Sequence, residues 1–189
     1  MKKKLLIIIA IALIVACSKT NESNFNGSDI TLANLDSDFN LTDHNGNNRS
    51  IADFREKVVA IFFGFTHCPD ICPTSMLELK AIKAELGVNE NELQVLFITV
   101  DPERDTVEVL NEYVPSFDKA FLGLTGKEAD IKKVAQQYKV FFQKVIDGSS
   151  YTVDHSSGIY LIGKDGRVRI RHPYGSLPNL IAEDILKLI

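Results

Sequence analysis

Apolar residues along the chain form two kinds of pattern, uninterrupted runs and stripes spaced by three or four positions. Residues 58–65 are apolar on both faces, which is typical of a central strand covered by helices, and residues 93–100 form a second, largely apolar run. Between them lies a helical stripe, preceded by Pro73 and followed by Gly87, made of Met76, Leu79, Ile82 and Leu86. The pattern therefore predicts a strand, a helix and a second buried strand in succession.

Shorter segments of the same kind complete the predicted fold. Strands are expected at residues 38–43, 121–124, 140–145, 158–162 and 168–170, and residues 163–166 form a hairpin turn between the last two. Asp105 and Glu108 have the spacing of a cap for a helix over residues 106–113, and Thr125 and Glu128 form a second capping box.

Two amphipathic helices are expected in the second half of the chain. The one that follows the second capping box presents Ile131, Val134, Ala135 and Tyr138 to the core. Pro178 introduces the other, with inward positions Leu180, Ile181, Ile185 and Leu188. Strands that alternate with helices and end in a hairpin and a helix predict an α/β sandwich.

The first 29 residues differ from the rest of the chain. Three lysines precede the twelve apolar residues 5–16, a stretch too short to span a bilayer, which needs about 20 residues. Residues 13–17 resemble a bacterial lipoprotein cleavage box, so Cys17 is expected to become the lipidated first residue; an ordinary signal peptide beside a spare cysteine is the alternative. We therefore predict a lipoprotein signal peptide at 1–16, a lipidated cysteine and polar tether at 17–29, and one domain at 30–189.

Composition narrows the class of protein. The chain has 189 residues, 45% of them hydrophobic, and a net charge of −4. This balance suits one globular domain with an N-terminal appendage, and it argues against binding to nucleic acid, which normally requires a basic patch.

The two cysteines within the domain, Cys68 and Cys72, are the strongest candidates for chemistry. They are four positions apart, between a buried strand and the start of a helix, and Cβ atoms at this spacing on a helix lie roughly 5–6 Å apart. Two thiolates so placed can bind a soft metal ion or exchange electrons as a disulfide. Cu(I) would be satisfied by two sulfurs and one imidazole, whereas zinc would require a fourth ligand; a redox dithiol usually has two intervening residues rather than three.

Four histidines could supply a third ligand. His155 is predicted in a loop before an apolar strand, from which it could reach a site on a neighbouring strand, although a lone histidine in a loop is more often on the surface. His67 adjoins Cys68 and is interpreted as an orienting or structural residue, and His44 and His172 are expected to be exposed. Asp101 follows the second buried strand and either belongs to a capped loop or has a functional role, in which it orients a ligand or meets a partner.

Three motifs together resemble one known family. Residues 63–73, 101–106 and 153–156, which read FGFTHCPDICP, DPERDT and VDHS, closely resemble the Sco/SenC family in this order, and the likeness covers the chain from Phe39 to its end. The resemblance implies a thioredoxin-like sandwich of the peroxiredoxin branch, with a mixed central sheet flanked by helices. It also implies a copper-binding protein, tethered to a membrane outside the cytoplasm on its periplasmic or outer face.

The family's functional residues fall on defined positions here. Its copper ligands correspond to Cys68, Cys72 and His155, and Asp101 occupies its acidic position near the site. The resemblance implies a metallochaperone that holds Cu(I), Cu(II) or both and assists assembly of the binuclear copper centre of cytochrome c oxidase. The partners implied are the copper-bearing subunit of that oxidase and a copper donor or thiol reductant.

Two enzymatic alternatives remain at this point. A thiol–disulfide oxidoreductase acting on a partner's cysteines would need Cys68 and Cys72 but has no evident need for His155. A peroxidase of the peroxiredoxin type carries threonine three residues before its reactive cysteine, where this chain has Phe65 and Pro69. The second alternative is therefore disfavoured.

Overall fold

An eight-stranded mixed sheet forms the centre of the fold in a computed structural model that describes residues 24–189. The described strands are β1 (Ser28–Asp29), β2 (Leu41–Asp43), β3 (Asn48–Arg49), β4 (Val58–Gly64), β5 (Leu93–Thr99), β6 (Leu122–Thr125), β7 (Phe142–Asp147), β8 (Ser150–His155), β9 (Gly158–Ile162) and β10 (Val168–Pro173). Their order across the sheet is β1–β10–β9–β4–β5–β6–β2–β3, while β7 and β8 form a separate hairpin. The predicted signal peptide and Cys17 lie outside the described residues.

The centre of the sheet is parallel and its flanks are antiparallel. β4 pairs with β5 and β5 with β6 in parallel, whereas β9 runs antiparallel to both β4 and β10. Every residue of β4 is buried, as expected of a strand covered on both faces. The predicted mixed sheet flanked by helices is confirmed.

The described helices are α1 (Ile71–Glu85), α2 (Val107–Tyr113), α3 (Glu128–Gln137) and α4 (Pro178–Leu188). Each corresponds to a predicted helix, and α1 packs against α4. The inward positions predicted for α3 are all buried. No helix within residues 24–189 is both long and apolar enough to cross a membrane.

Both predicted helix caps are wrong in detail. The cap of α2 is Thr106, whose hydroxyl accepts a hydrogen bond from the Val109 N–H, while Asp105 is fully buried. α3 begins after Lys127 without a side-chain cap, and the Thr125 hydroxyl instead donates to the carbonyl oxygen of Asp105 (2.9 Å). Tertiary hydrogen bonds around Asp105 thus replace the local ones that the spacing suggested.

The ordered fold includes part of the segment assigned to the tether. β1 pairs with β10, and the backbone N–H groups of Asn26 and Gly27 both donate to the buried carboxylate of Asp184. His172, predicted to be exposed, is only 2% exposed and lies 3.1 Å from Asp184. His44 is also buried, and its Nδ1 accepts a hydrogen bond from the Gly123 N–H.

Candidate metal centre

The two cysteines lie where the sequence predicted, at the carboxyl end of β4. A short loop follows Gly64, Cys68 precedes α1, and Cys72 lies in its first turn. The Cys72 N–H points at Sγ of Cys68, with an N-to-S distance of 3.5 Å. Both are free cysteines, and Cys68 is half-buried whereas Cys72 is wholly buried.

Burial dominates the chemistry of Cys72. It raises the pKa of this thiol far above the ordinary value, and the nearby charges of Cys68 and Asp105 raise the pKa further. The start of a helix ordinarily lowers the pKa of a nearby thiol. For Cys72 the pKa is raised instead, because desolvation outweighs the hydrogen bond from the backbone.

The imidazole of His155 lies beside Cys72. It is the last residue of β8 rather than part of a loop, and its Nε2 lies 3.9 Å from Sγ of Cys72. Its Nδ1 lies 3.1 Å from the carbonyl oxygen of Ser156. Because a carbonyl oxygen only accepts, Nδ1 carries the proton of this hydrogen bond, and the lone pair of Nε2 is left facing the thiol of Cys72. Burial lowers the pKa of His155, which favours the neutral imidazole that metals bind.

The ring of Phe65 supports this orientation. It packs edge-on against the imidazole of His155, with ring centroids 5.9 Å apart and planes at 84°. The three donors predicted from the sequence therefore lie together, with Cys72 in contact with both of the others. Within residues 24–189, however, no group of three or more His, Cys, Asp or Glu side chains is arranged so that it could hold a metal ion as it stands.

Asp101 lies at the edge of the site and acts on its surroundings. Its buried carboxylate accepts hydrogen bonds from Nε of Arg104 (2.5 Å) and from the hydroxyl of Tyr151 (2.9 Å). Tyr151 belongs to β8, the strand that ends at His155. Asp101 therefore contacts the strand that carries His155, which is how it could orient that histidine.

His67 and Asp105 both contact Thr66, in the loop that carries Cys68. His67 is exposed, and Nδ1 of its ring lies 3.1 Å from the hydroxyl oxygen of Thr66. Asp105 accepts hydrogen bonds from the N–H and the hydroxyl of Thr66 and from the hydroxyl of Thr99. It thereby ties the loop that carries Cys68 to the end of β5, a role that sequence reasoning missed because the local spacing suggested a cap.

Comparison with known proteins shows which family this chain resembles. The family model described as SCO1/SenC matches residues 28–189. A SCO2-like protein of Rickettsia prowazekii is 43% identical over 153 residues, which cover 79% of this chain and 73% of that protein. The mitochondrial SCO2 homologue of Bos taurus is 46% identical over 135 residues, 68% of this chain and half of its own length.

A solved structure extends the likeness to three dimensions. The structure of Bradyrhizobium japonicum ScoI with copper bound superposes with a TM-score of 0.74 at 38% identity, covering 80% of this chain and 98% of that one. The sheet order and helix positions described above are thus those of a thioredoxin-like fold. Because the family match spans nearly all of the described residues, this chain belongs to the SCO1/SenC family.

Proposed function

We propose that the protein is a copper metallochaperone that binds copper through Cys68, Cys72 and His155 and helps to assemble the binuclear copper centre of cytochrome c oxidase. The observation that carries this proposal is the 3.9 Å approach of His155 Nε2 to Cys72 Sγ, beside Cys68. Two thiolates and one imidazole are the donors that a soft, low-coordinate Cu(I) ion prefers. The related ScoI structure holds copper.

The unequal burial of the ligands suits transfer rather than storage. Cys72 lies wholly inside the fold, where it retains the ion, whereas Cys68 and His155 are only half-buried. A partner's thiolate can therefore approach from the side of Cys68 and His155 and exchange ligands while Cys72 still holds the ion. The raised pKa of Cys72 means that copper must displace a proton, so binding is coupled to proton release.

The partners and location are also part of this proposal. The copper-bearing subunit of cytochrome c oxidase would receive the ion, and a copper donor or a thiol reductant would prepare the site. Lipid on Cys17 would hold the domain to a membrane outside the cytoplasm. The family resemblance and the apolar segment before Cys17 support this placement.

The oxidoreductase alternative is less well supported by the geometry. An attacking thiol needs a thiolate population and access to its target. Cys68 has such access, but completing the exchange also requires Cys72, which is wholly buried with a raised pKa. His155 is placed as a donor that disulfide exchange does not require.

The test is an anaerobic Cu(I) titration of the reduced protein beginning after Cys17, beside its variants. We expect one tightly bound copper per chain and a loss of affinity of at least about 100-fold in His155→Ala, above the range for outer-sphere residues. Cys68→Ser should lose comparable affinity. The His67→Ala variant tests the other histidine near the site. A loss of copper affinity in His67→Ala but not in His155→Ala would contradict the proposed ligand set.

A further inference from the structure

The hairpin that carries His155 is held apart from the main sheet. Among the described residues, β7 and β8 pair only with each other, over six residue pairs from Phe142–His155 to Asp147–Ser150. Backbone hydrogen bonds of the eight-stranded sheet therefore do not fix where His155 stands relative to the cysteines. Besides the short link from His155 to β9, side-chain contacts between the hairpin and the residues after β5 can do so.

Arg104 makes the most direct of these contacts. Its guanidinium carbon lies 3.8 Å from the ring centroid of Tyr151, and its Nη1 donates to the carbonyl oxygen of Tyr151 (3.0 Å). Its Nε donates to Asp101, which also accepts the Tyr151 hydroxyl. Arg104, Asp101 and Tyr151 thus form a closed cycle in which each member contacts the other two.

This cycle is coupled to His155 by two routes. Tyr151 and His155 are four residues apart on β8, so their side chains leave the same face of the strand. The guanidinium also lies 6.0 Å from the ring centroid of Phe65, the ring that packs edge-on against His155. A shift of Arg104 would therefore change both the strand and the ring that orient the imidazole.

We propose that Arg104 is a positioning residue that fastens the β7–β8 hairpin and so sets the approach of His155 to the cysteines. The inference rests on the proposed function in taking His155 as the copper ligand. Arginine suits this place because a planar guanidinium can stack on an aromatic ring while its edge donates several hydrogen bonds, which an ammonium group cannot do together.

A second charged contact to the hairpin cannot replace this one. Lys144 pairs with Glu103 and lies 4.7 Å from the ring centroid of Tyr151, but both charged side chains are largely exposed. Exposed ion pairs are screened by water and hold their groups weakly. The Arg104 side chain is 19% exposed and that of Asp101 is fully buried, so their contact is better shielded.

A double-mutant cycle tests the proposal through Cu(I) affinity, measured by competition with a chromophoric chelator. We expect Arg104→Gln to weaken binding about 10-fold in the native background and not at all in His155→Ala. Arg104→Lys should recover only part of the loss. The control is Arg167→Gln, an exposed arginine beside the β9–β10 turn, which should leave affinity unchanged. Equal losses with and without His155 would overturn the proposal.

A measurement on the metal-free protein separates this inference from the proposed function. In Arg104→Gln, NMR contacts between the Phe65 and His155 rings should weaken and amides of β7 and β8 should exchange faster; unchanged contacts would refute the positioning role even if His155 binds copper. Conversely, normal copper binding by His155→Ala would refute the proposed ligand set, whereas the contacts between the Phe65 and His155 rings in Arg104→Gln would still test the role of Arg104.

If Arg104→Gln does not fold, Tyr151→Phe replaces it, because this change removes only the hydrogen bond from the hydroxyl to Asp101. Its smaller loss of copper affinity must likewise disappear in the His155→Ala background.

Discussion

Sγ of Cys72 and Nε2 of His155 lie 3.9 Å apart although the two residues are 83 positions apart in the chain. One belongs to the first turn of α1 and the other to the end of a hairpin outside the main sheet. The contact therefore depends on how α1 and the hairpin are both held against the carboxyl ends of β4 and β5. Changes at these supports should alter the site without touching a ligand.

The two thiols should differ strongly in reactivity. Cys68 is half-buried, whereas Cys72 is wholly buried and its pKa is raised by desolvation, so it holds its proton at neutral pH. In the reduced, metal-free protein we expect iodoacetamide to modify Cys68 at least about tenfold faster than Cys72. Peptide mass spectrometry over time measures both rates. In urea the rates should become similar, and equal rates in the folded protein would contradict the structure.

Gly64 should tolerate no side chain. A Cβ atom there would lie 2.8 Å from Cε1 of Phe62, 2.9 Å from Cε2 of Phe97 and 3.0 Å from Sγ of Cys72. We expect Gly64→Ala to lower the free energy of unfolding by about 1–3 kcal/mol, because buried aromatic rings have little room to move. It should also weaken copper binding by displacing Cys72. Urea unfolding and Cu(I) competition measure the two effects, and an unchanged unfolding midpoint would show that the strand end is looser than described.

Asp105 should matter more for stability than a helix cap would. Asp105→Ala removes the acceptor of three hydrogen bonds from Thr66 and Thr99, and we expect a loss of about 2 kcal/mol in the free energy of unfolding. The matched control is Glu108→Ala, the other residue of the predicted cap, whose exposed side chain should contribute less than about 0.5 kcal/mol. Chemical denaturation compares them, and equal effects would favour the capping interpretation over the tertiary one.

The attachment of the N-terminal segment should weaken in acid. Burial by itself would raise the pKa of Asp184, but hydrogen bonds from the N–H groups of Asn26 and Gly27 and from Lys187 outweigh it and lower the pKa below its usual value. The stabilisation by this carboxylate is then complete above about pH 4 and is lost as the pH falls through the lowered pKa.

Comparison of Asp184→Asn with the native chain tests this assignment. The native chain should be more stable at about pH 5, and the gap in the free energy of unfolding should close towards about pH 2. Glu112→Gln, an exposed carboxylate on α2, should not change this pH dependence. A difference in the free energy of unfolding that stays constant with pH would show that ionisation of Asp184 does not stabilise the attachment of Asn26 and Gly27.

Strong local patterns were enough to predict most of the fold. The runs that became β4 and β5 and the stripe of α1 are periodic over long segments, where hydrophobic spacing alone decides the type of element. β8 was missed because Ser150–His155 is largely polar and takes its conformation from pairing with β7. β1 was missed since a strand of two residues carries almost no pattern.

By itself, the sequence determined the two cysteines at the start of a helix and, through its three motifs, the family. Only the tertiary structure decided how these residues act. In the folded chain Cys72 is buried and its pKa is raised. Asp105 holds the loop that carries Cys68 rather than capping α2, and His44 and His172 are buried. Burial and long-range hydrogen bonds depend on which segments pack against one another in the folded chain. The spacing of residues along the sequence does not specify that packing.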